Sequence, residues 1–391
     1  MRMTTSKPSV SSNWPALPEG AFAFASFSDL HWGHRRNDTE RMIQAFDKSV
    51  YGNGLLSYIK LLVLAGDVFD RLLNLNDESI FAIDRWIARL LKRCAEAGVV
   101  LRVLEGTKSH DRAQSQRFEM LYEFLELKSD FRYVKDVEVE YIASLGCQVL
   151  FIPDEAHTST VETKEVVQAM LQAKGLQRVD LAVMHGYFQH HLPYDTKEGS
   201  YHDLAYYESI VKHWITIGHV HTRSRVGKAL AQGSHDRLSH GEEEAKGFVV
   251  ATCRHPGKDD AWFIDNHHAH VYRTVTCYDM TAEHALAAID AACEGIPTGS
   301  RVRIEAEPEH PVFESMLMLT NRWPLLHLTK HIKSKSEKST VEKILEDVLS
   351  KWTPIRIDRE SIGPLIEKRL LKREMDAEQR HRVLTHLQEC V

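Results

Sequence analysis

Five short apolar runs in this chain each lead into an acid or an imidazole, and this repetition constrains the fold more than any other feature. Asp29-Leu30-His31 follows AFAFASFS, and Gly66-Asp67-Val68-Phe69-Asp70 follows KLLVLA. Ser109-His110-Asp111 comes soon after VVLRVL. His185-Gly186 follows DLAVM, and Gly218-His219-Val220-His221 follows WITI. Short continuous apolar runs are the signature of strands buried on both faces. Helical periodicity fills the intervals. Ile80, Ile83, Ile87, Leu90, Leu91 and Cys94 recur at helical spacing over 77–97, and Gly98 stops that helix. The chain therefore reads as α/β. In such sheets ligands gather beyond the carboxyl ends of strands, where these acids and imidazoles fall.

The remainder divides by pattern. Residues 1–20 read as a disordered lead-in, with no continuous apolar segment of a secretory signal. Helices are expected over 38–49, 114–127 and 160–174, and a strand at 147–152. The 114–127 helix is apolar on two faces, with Phe118, Leu121 and Leu125 on one and Met120, Phe124 and Leu127 on the other. Such a helix is deeply buried or shared with a partner. Residues 226–278 read as β-rich, and a helix at 281–294 with a strand at 301–306 suggests a small α/β lobe. A lysine- and serine-rich stretch, 328–339, reads as a linker. Three short amphipathic helices after it read as a docking module, too small to bury a core alone.

No apolar stretch approaches the roughly 20 residues that span a bilayer. The six cysteines are scattered without a C-x-x-C pair, which argues for a reducing compartment and against a thiolate zinc site. Net charge is −6, so any nucleic-acid contact must rest on local patches. Arg35, Arg36 and Arg223 directly follow two of the acid–imidazole blocks, where cations can meet DNA phosphates. The triplet His267, His268 and His270 has no acid at ligand spacing and reads as a solvated turn.

The donor set is carboxylate and imidazole without thiolate, which suits manganese, iron or zinc better than calcium or copper. Asp29/His31 and His219/His221 are each spaced i, i+2, so in extended chain both side chains of a pair point to one side. Asp67 ends the most buried strand and is the natural carboxylate to bridge two ions. Two such ions can clamp a phosphoryl group and lower the pKa of a water between them.

These blocks, in this order, resemble those of the calcineurin-like metallophosphoesterases: D-x-H, GD-x-x-D, GNH-[DE], a lone histidine, then G-H-x-H. The resemblance implies that Asp29, His31, Asp67 and His221 hold one ion, and Asp67, His185 and His219 the other. It implies that His110 lies over the scissile phosphate and that Asp70 orients it through a hydrogen bond. One block departs. The chain reads Gly106-Thr107-Lys108-Ser109-His110-Asp111, two residues longer and without the asparagine ligand. Ser109 takes its place in register with His110, and Thr107 is the other candidate.

The segment from Gly233 through Arg237, the acidic cluster and Lys246-Gly247-Phe248 resembles the one that follows G-H-x-H in SbcD-type DNA-repair nuclease subunits. That resemblance implies a four-layer αββα sandwich over 21–265, a small α/β capping domain over 266–327, a linker over 328–339 and C-terminal helices over 340–391 that dock an SbcC-like ATPase. It implies exonuclease action on duplex DNA ends, with single-strand endonuclease action beside it, in DNA repair and recombination. Two divalent cations are implied, Mn2+ first, with Mg2+, Fe2+ or Zn2+ as alternatives. Helices 77–97 and 114–127 are implied as a homodimer interface, and the compartment as cytoplasmic. Two other readings stay open: a metallophosphoesterase acting on nucleotides or phosphoproteins, and a non-catalytic scaffold for the ATPase.

Overall fold

The parallel strand Phe22–Phe27 lies at the middle of a six-stranded mixed sheet. The computed structural model describes residues 14–74, 76–193, 196–254 and 259–332. Edge to edge, the first sheet runs Ala261–Asp265, Gly247–Cys253, Phe22–Phe27, Ile59–Ala65, Val100–Leu104 and Phe131–Val134. The last four are parallel, and the first two are antiparallel additions. A second six-stranded sheet runs Glu138–Ile142, Cys147–Ile152, Val179–His185, Val211–Gly218, Ala229–Ala231 and Ser224–Val226. Its core of Cys147–Ile152, Val179–His185 and Val211–Gly218 is again parallel. The protein is thus mixed α/β.

Side-chain alternation along each strand assigns every face a partner. Leu62 and Leu64 pack with Phe46, Trp86 and Phe118 from helices Thr39–Tyr51, Ser79–Ala97 and Gln116–Phe124. Their neighbours Leu61, Val63 and Ala65 share a cluster with Val149, Phe151, Leu181 and Trp214 of the second sheet. Leu150 and Ile152 join Val167, Leu171 and Tyr207 from helices Thr160–Ala173 and Leu204–Ile210. Helix Ser79–Ala97 ends where expected: Gly98 is left-handed and Val99 N–H donates back to Cys94.

A third sheet, Tyr272–Thr276, Arg301–Ala306 and His327–Ile332, carries helix Ala282–Cys293 as the crossover between its first two, parallel strands. Residues 328–332, expected to open a linker, are therefore its third strand, and the lobe runs past 327. Only Leu328 and His331 there are half-buried, and such a polar strand lacks the apolar run that marks a buried one. The lead-in also needs correction. Trp14 stacks on Tyr58 at 4.9 Å and donates to the Asn53 carbonyl, so 14–20 are not free chain. The chain divides into two units, Met1–His331 and Ile332–Val391. The expected docking module, 340–391, lies outside the described residues, as does the rest of the linker. Among the described residues no helix is long and apolar enough to cross a membrane.

Candidate metal centre

Both sheets deliver side chains to one place, each from the carboxyl end of a strand. Asp29, Asp67 and Thr107 follow strands of the first sheet; Asp154, His185 and His219 end or follow strands of the second. The backbone there is unusual. Asp29, His31, Asp67 and His219 have φ of 51°, 50°, 50° and 84°, in the left-handed region that non-glycine residues seldom enter. Each such residue costs about 1–3 kcal/mol and persists where its surroundings over-determine it. Asp29 and His31 therefore converge through tight turns rather than through extended i, i+2 alternation. Their N–H groups donate to the carbonyls of Gly66 and Asp67, both at 3.1 Å, which clasps the two loops together. Gly66 has φ +85°, and a Cβ on it would fall 2.2 Å from His185 Nδ1. The glycine before Asp67 is what lets this loop touch the imidazole.

Three groups of side chains among the described residues gather donor atoms within 4.8 Å of one another and could hold a metal ion: Asp29/His31/His221, Asp67/His185/His219 and His31/Asp70/His110. In the first, His31 Nε2 is 3.2 Å from His221 Nε2, which is 3.7 Å from Asp29 Oδ1. The Asp29 carboxylate also accepts from Ser28 and from the His219 N–H, which joins the first group to the second. His221 Nδ1 meets Glu242 Oε1 at 3.3 Å. Burial disfavours charge on His221, but the Glu242 bond and nearby Asp29 raise its pKa overall. Burial likewise opposes the Glu242 charge, yet His221 and Lys246 hold it down at about 2. Buried Lys246 bonds Glu242 at 2.8 Å and donates to the His221 carbonyl at 2.9 Å. The 233–248 segment thus cradles His221, the kind of carboxylate support that fixes a ligand imidazole.

In the second group, His185 Nε2 lies 3.2 Å from Asp67 Oδ2, and His185 Nδ1 lies 2.7 Å from the Ala65 carbonyl. The carbonyl accepts from Nδ1–H, which leaves Nε2 facing the carboxylate. Burial works against charge on both. Even so, His185, with His31 and His110, pulls the Asp67 carboxyl well below its ordinary range. Asp67, with Asp29 and Asp154, pushes His185 well above its own. The protein draws positive charge to this spot. Burial and then His185 lower the His219 pKa, which favours the neutral imidazole a metal requires. Hard and borderline donors, buried and converging, fit a divalent cation.

Thr107 fills the position expected of Ser109. Its N–H donates to Asp67 Oδ1 at 2.7 Å, and its hydroxyl lies 3.0 Å from His219 Nδ1. Ser109 is exposed, two residues on in the turn. The fixed point is the strand end: a Cβ on Gly106 would meet Asp67 N at 2.1 Å, so Gly106-Thr107 is pinned. The two extra residues are taken up after it. Asp111 secures this loop, accepting from Gly106 and Phe69 N–H, both at 2.8 Å.

Asp70 supports His110 differently from expectation. His110 Nδ1 lies 2.8 Å from the Asp70 backbone carbonyl, while the Asp70 carboxylate reaches His31 Nδ1 at 3.2 Å. Arg35 and Arg36 are exposed at the rim. Arg223 is not available as a phosphate contact, because its guanidinium is engaged by Asp265 and the Ile264 carbonyl. His267 and His268 are exposed in a turn, and His270 is buried against Asp236 at 2.7 Å. Sequence reasoning missed Asp154 and the role of Glu242. Asp154 obeys the same rule as the others, an acid just past an apolar strand, and could have been found by it.

No protein-family model matches the chain. Among solved structures, it is similar to TT1561 of Thermus thermophilus at 11% identity and a TM-score of 0.34, over 62% of this chain and 99% of that one. A second solved structure aligns at 11% identity and a TM-score of 0.38, over 62% of this chain and all of its own length.

Proposed function

We propose that this chain is a metal-dependent phosphodiesterase acting on DNA, a nuclease subunit of the SbcD type within the calcineurin-like metallophosphoesterases. One observation carries the reading. Side chains from all five motif blocks meet in adjoining donor groups, Asp29/His31/His221 and Asp67/His185/His219, with His110 beside them. The first group would hold one cation and the second another, Mn2+ by preference, with Asp67 between. When bound, the cations would polarise the phosphate and lower the pKa of the attacking water.

The protein's own groups then have separable tasks. His110 Nδ1–H donates to the Asp70 carbonyl, which leaves Nε2 facing the site; as the imidazolium, His110 would pass its Nε2 proton to the leaving oxygen and be left as the neutral Nδ1–H ring. Asp70 and Glu242 hold His31 and His221 in place. Arg35 and Arg36 would meet backbone phosphates. The apolar cluster shared by the two sheets, with helices packed on the opposite face of each, supports a four-layer αββα sandwich. Exposed Phe81, Met120 and Phe124 on neighbouring helices support homodimerisation. An SbcC-like ATPase is the proposed partner of 340–391, and the cytoplasm the proposed compartment.

The test is digestion of end-labelled duplex DNA with Mn2+, Mg2+ or chelator, beside dinucleotide and phosphopeptide substrates. DNA cleavage should require the metal and fall roughly 100-fold or more in His110→Asn. Cutting that survives chelation, or a variant that cuts at the parent rate, overturns the reading. Preference for a dinucleotide or a phosphopeptide overturns DNA as the substrate.

A further inference from the structure

The Thr107 hydroxyl has more neighbours than it can serve. Its Oγ1 lies 3.2 Å from Asp67 Oδ2, 3.1 Å from Asp154 Oδ2, 3.0 Å from His219 Nδ1 and 3.4 Å from His185 Nε2. A hydroxyl has one proton to give, and an ionised carboxylate only accepts. Two carboxylates converging on one neutral oxygen repel each other unless positive charge lies among them.

We infer that Asp154 is a ligand of the second cation, entering with Thr107 where the resembled family carries an asparagine. This rests on the two-cation reading above. Asp154 sits two residues past the strand Cys147–Ile152, at the same end of the sheet as His185 and His219. Its Oδ1 accepts from the Glu155 N–H at 2.9 Å, which turns Oδ2 toward Thr107 and toward His219 Nδ1, 3.6 Å away. The chemistry agrees. Beyond its share of Asp67, the second ion would otherwise see neutral imidazoles and a hydroxyl. Asp154 adds a negative charge and a hard oxygen, a set better matched to Mn2+ or Mg2+ than to softer ions.

The experiment measures Mn2+ binding to the full chain by equilibrium dialysis, with electron paramagnetic resonance to detect spin-coupled pairs. The parent should bind two equivalents. Asp154→Ala should keep the first at parent affinity, weaken the second about 10-fold or more, and lose the coupled signal. Asp154→Asn, which keeps the size and the Glu155 bond, should fall between. Adding Thr107→Asn to Asp154→Ala should restore the second equivalent. If Asp154→Ala binds both equivalents as the parent does, Asp154 is no ligand and the two-cation reading stands. If Asp154→Ala loses both, Asp154→Asn decides, and an unchanged second equivalent there rejects the inference. A parent that binds fewer than two overturns the two-cation reading and this inference with it.

Discussion

His110 Nδ1 rests 2.8 Å from the backbone carbonyl of Asp70, while the carboxylate of the same residue turns away to His31. Side chain and backbone of Asp70 therefore serve different partners, and substitution separates them. Asp70→Ala removes the support of His31 but leaves the carbonyl that orients His110. The Mn2+ concentration for half-maximal hydrolysis should rise about 10–100-fold, with the rate at saturating Mn2+ within a few-fold of the parent. His110→Asn should lower the rate at every metal concentration. A metal titration of both variants checks this. A saturated rate in Asp70→Ala as low as that of His110→Asn would place the carboxylate's action on His110 instead.

The helix expected over 114–127 runs Gln116–Phe124: Phe118 is its buried residue, Leu121 and the following Leu127 pack partly against the core, and Met120 and Phe124 are exposed. Phe118 is fully buried, whereas Phe124 is 80% exposed and Phe81, on the neighbouring helix, 74%. Arg117–Asp84 and the Phe118–Trp86 contact lock the two helices together. Phe124→Glu should convert a dimer to a monomer in sedimentation while leaving the far-UV circular dichroism unchanged, because within one chain that ring faces solvent. A parent chain that already sediments as a monomer would refute the interface.

The strand ends were legible because a buried strand needs a continuous apolar run, and an acid ending such a run stands out. Asp154 has the same position, with Glu155 and His157 close behind it, but it belongs to none of the blocks of the resembled family and so does not stand out. Ser109 holds the ligand position only in a register taken from His110, whereas the close approach of Gly106 to Asp67 fixes the loop from its other end and presents Thr107. The Asp265 partner of Arg223 is 42 residues away and leaves no local mark on the sequence. Left-handed turns at Asp29, His31 and Asp67 could not be foreseen either, since none carries the glycine that usually announces them.

Stability should fall in mild acid. Burial pushes the His235 pKa down to about 4, where the ring packs between Phe27 and Phe46, both 5.6 Å away. Its nitrogens meet Ser49 and Asn266. An unfolded histidine titrates near 6.5, so between 6.5 and 4 the unfolded chain takes up a proton the folded one refuses. The stabilisation is present above 6.5 and lost as pH falls toward 4, on the order of 2–3 kcal/mol in all. Urea unfolding at pH 7 and pH 5 should show the loss, and His235→Phe should flatten it. Some slope will remain, since His202 is also pushed down to about 4 by burial. An identical slope in parent and variant would rule His235 out as its source.

Arg102 provides the sharpest test of how the two sheets are joined. It is 1% exposed within the strand Val100–Leu104, yet its guanidinium meets Glu140 at 2.8 and 2.6 Å and Asp130 at 2.6 Å. Glu140 belongs to the edge strand Glu138–Ile142 of the second sheet, so the pair bridges the sheets. Burial opposes the charge on Arg102, but Glu140 and Asp130 more than offset it. Glu140→Ala removes the bidentate partner and leaves the buried cation on Asp130 alone, which should cost about 1.5–3 kcal/mol. Arg102→Met should cost less, because the carboxylates it abandons are 12% and 43% exposed and can take up water. The double variant Arg102→Met, Glu140→Met should recover most of the loss, since apolar replacements of a buried pair are often neutral or better. Urea unfolding of the three variants distinguishes the cases. A cost below about 1 kcal/mol for Glu140→Ala, the range of exposed ion pairs, would mean that water reaches Arg102 and that packing alone joins the sheets.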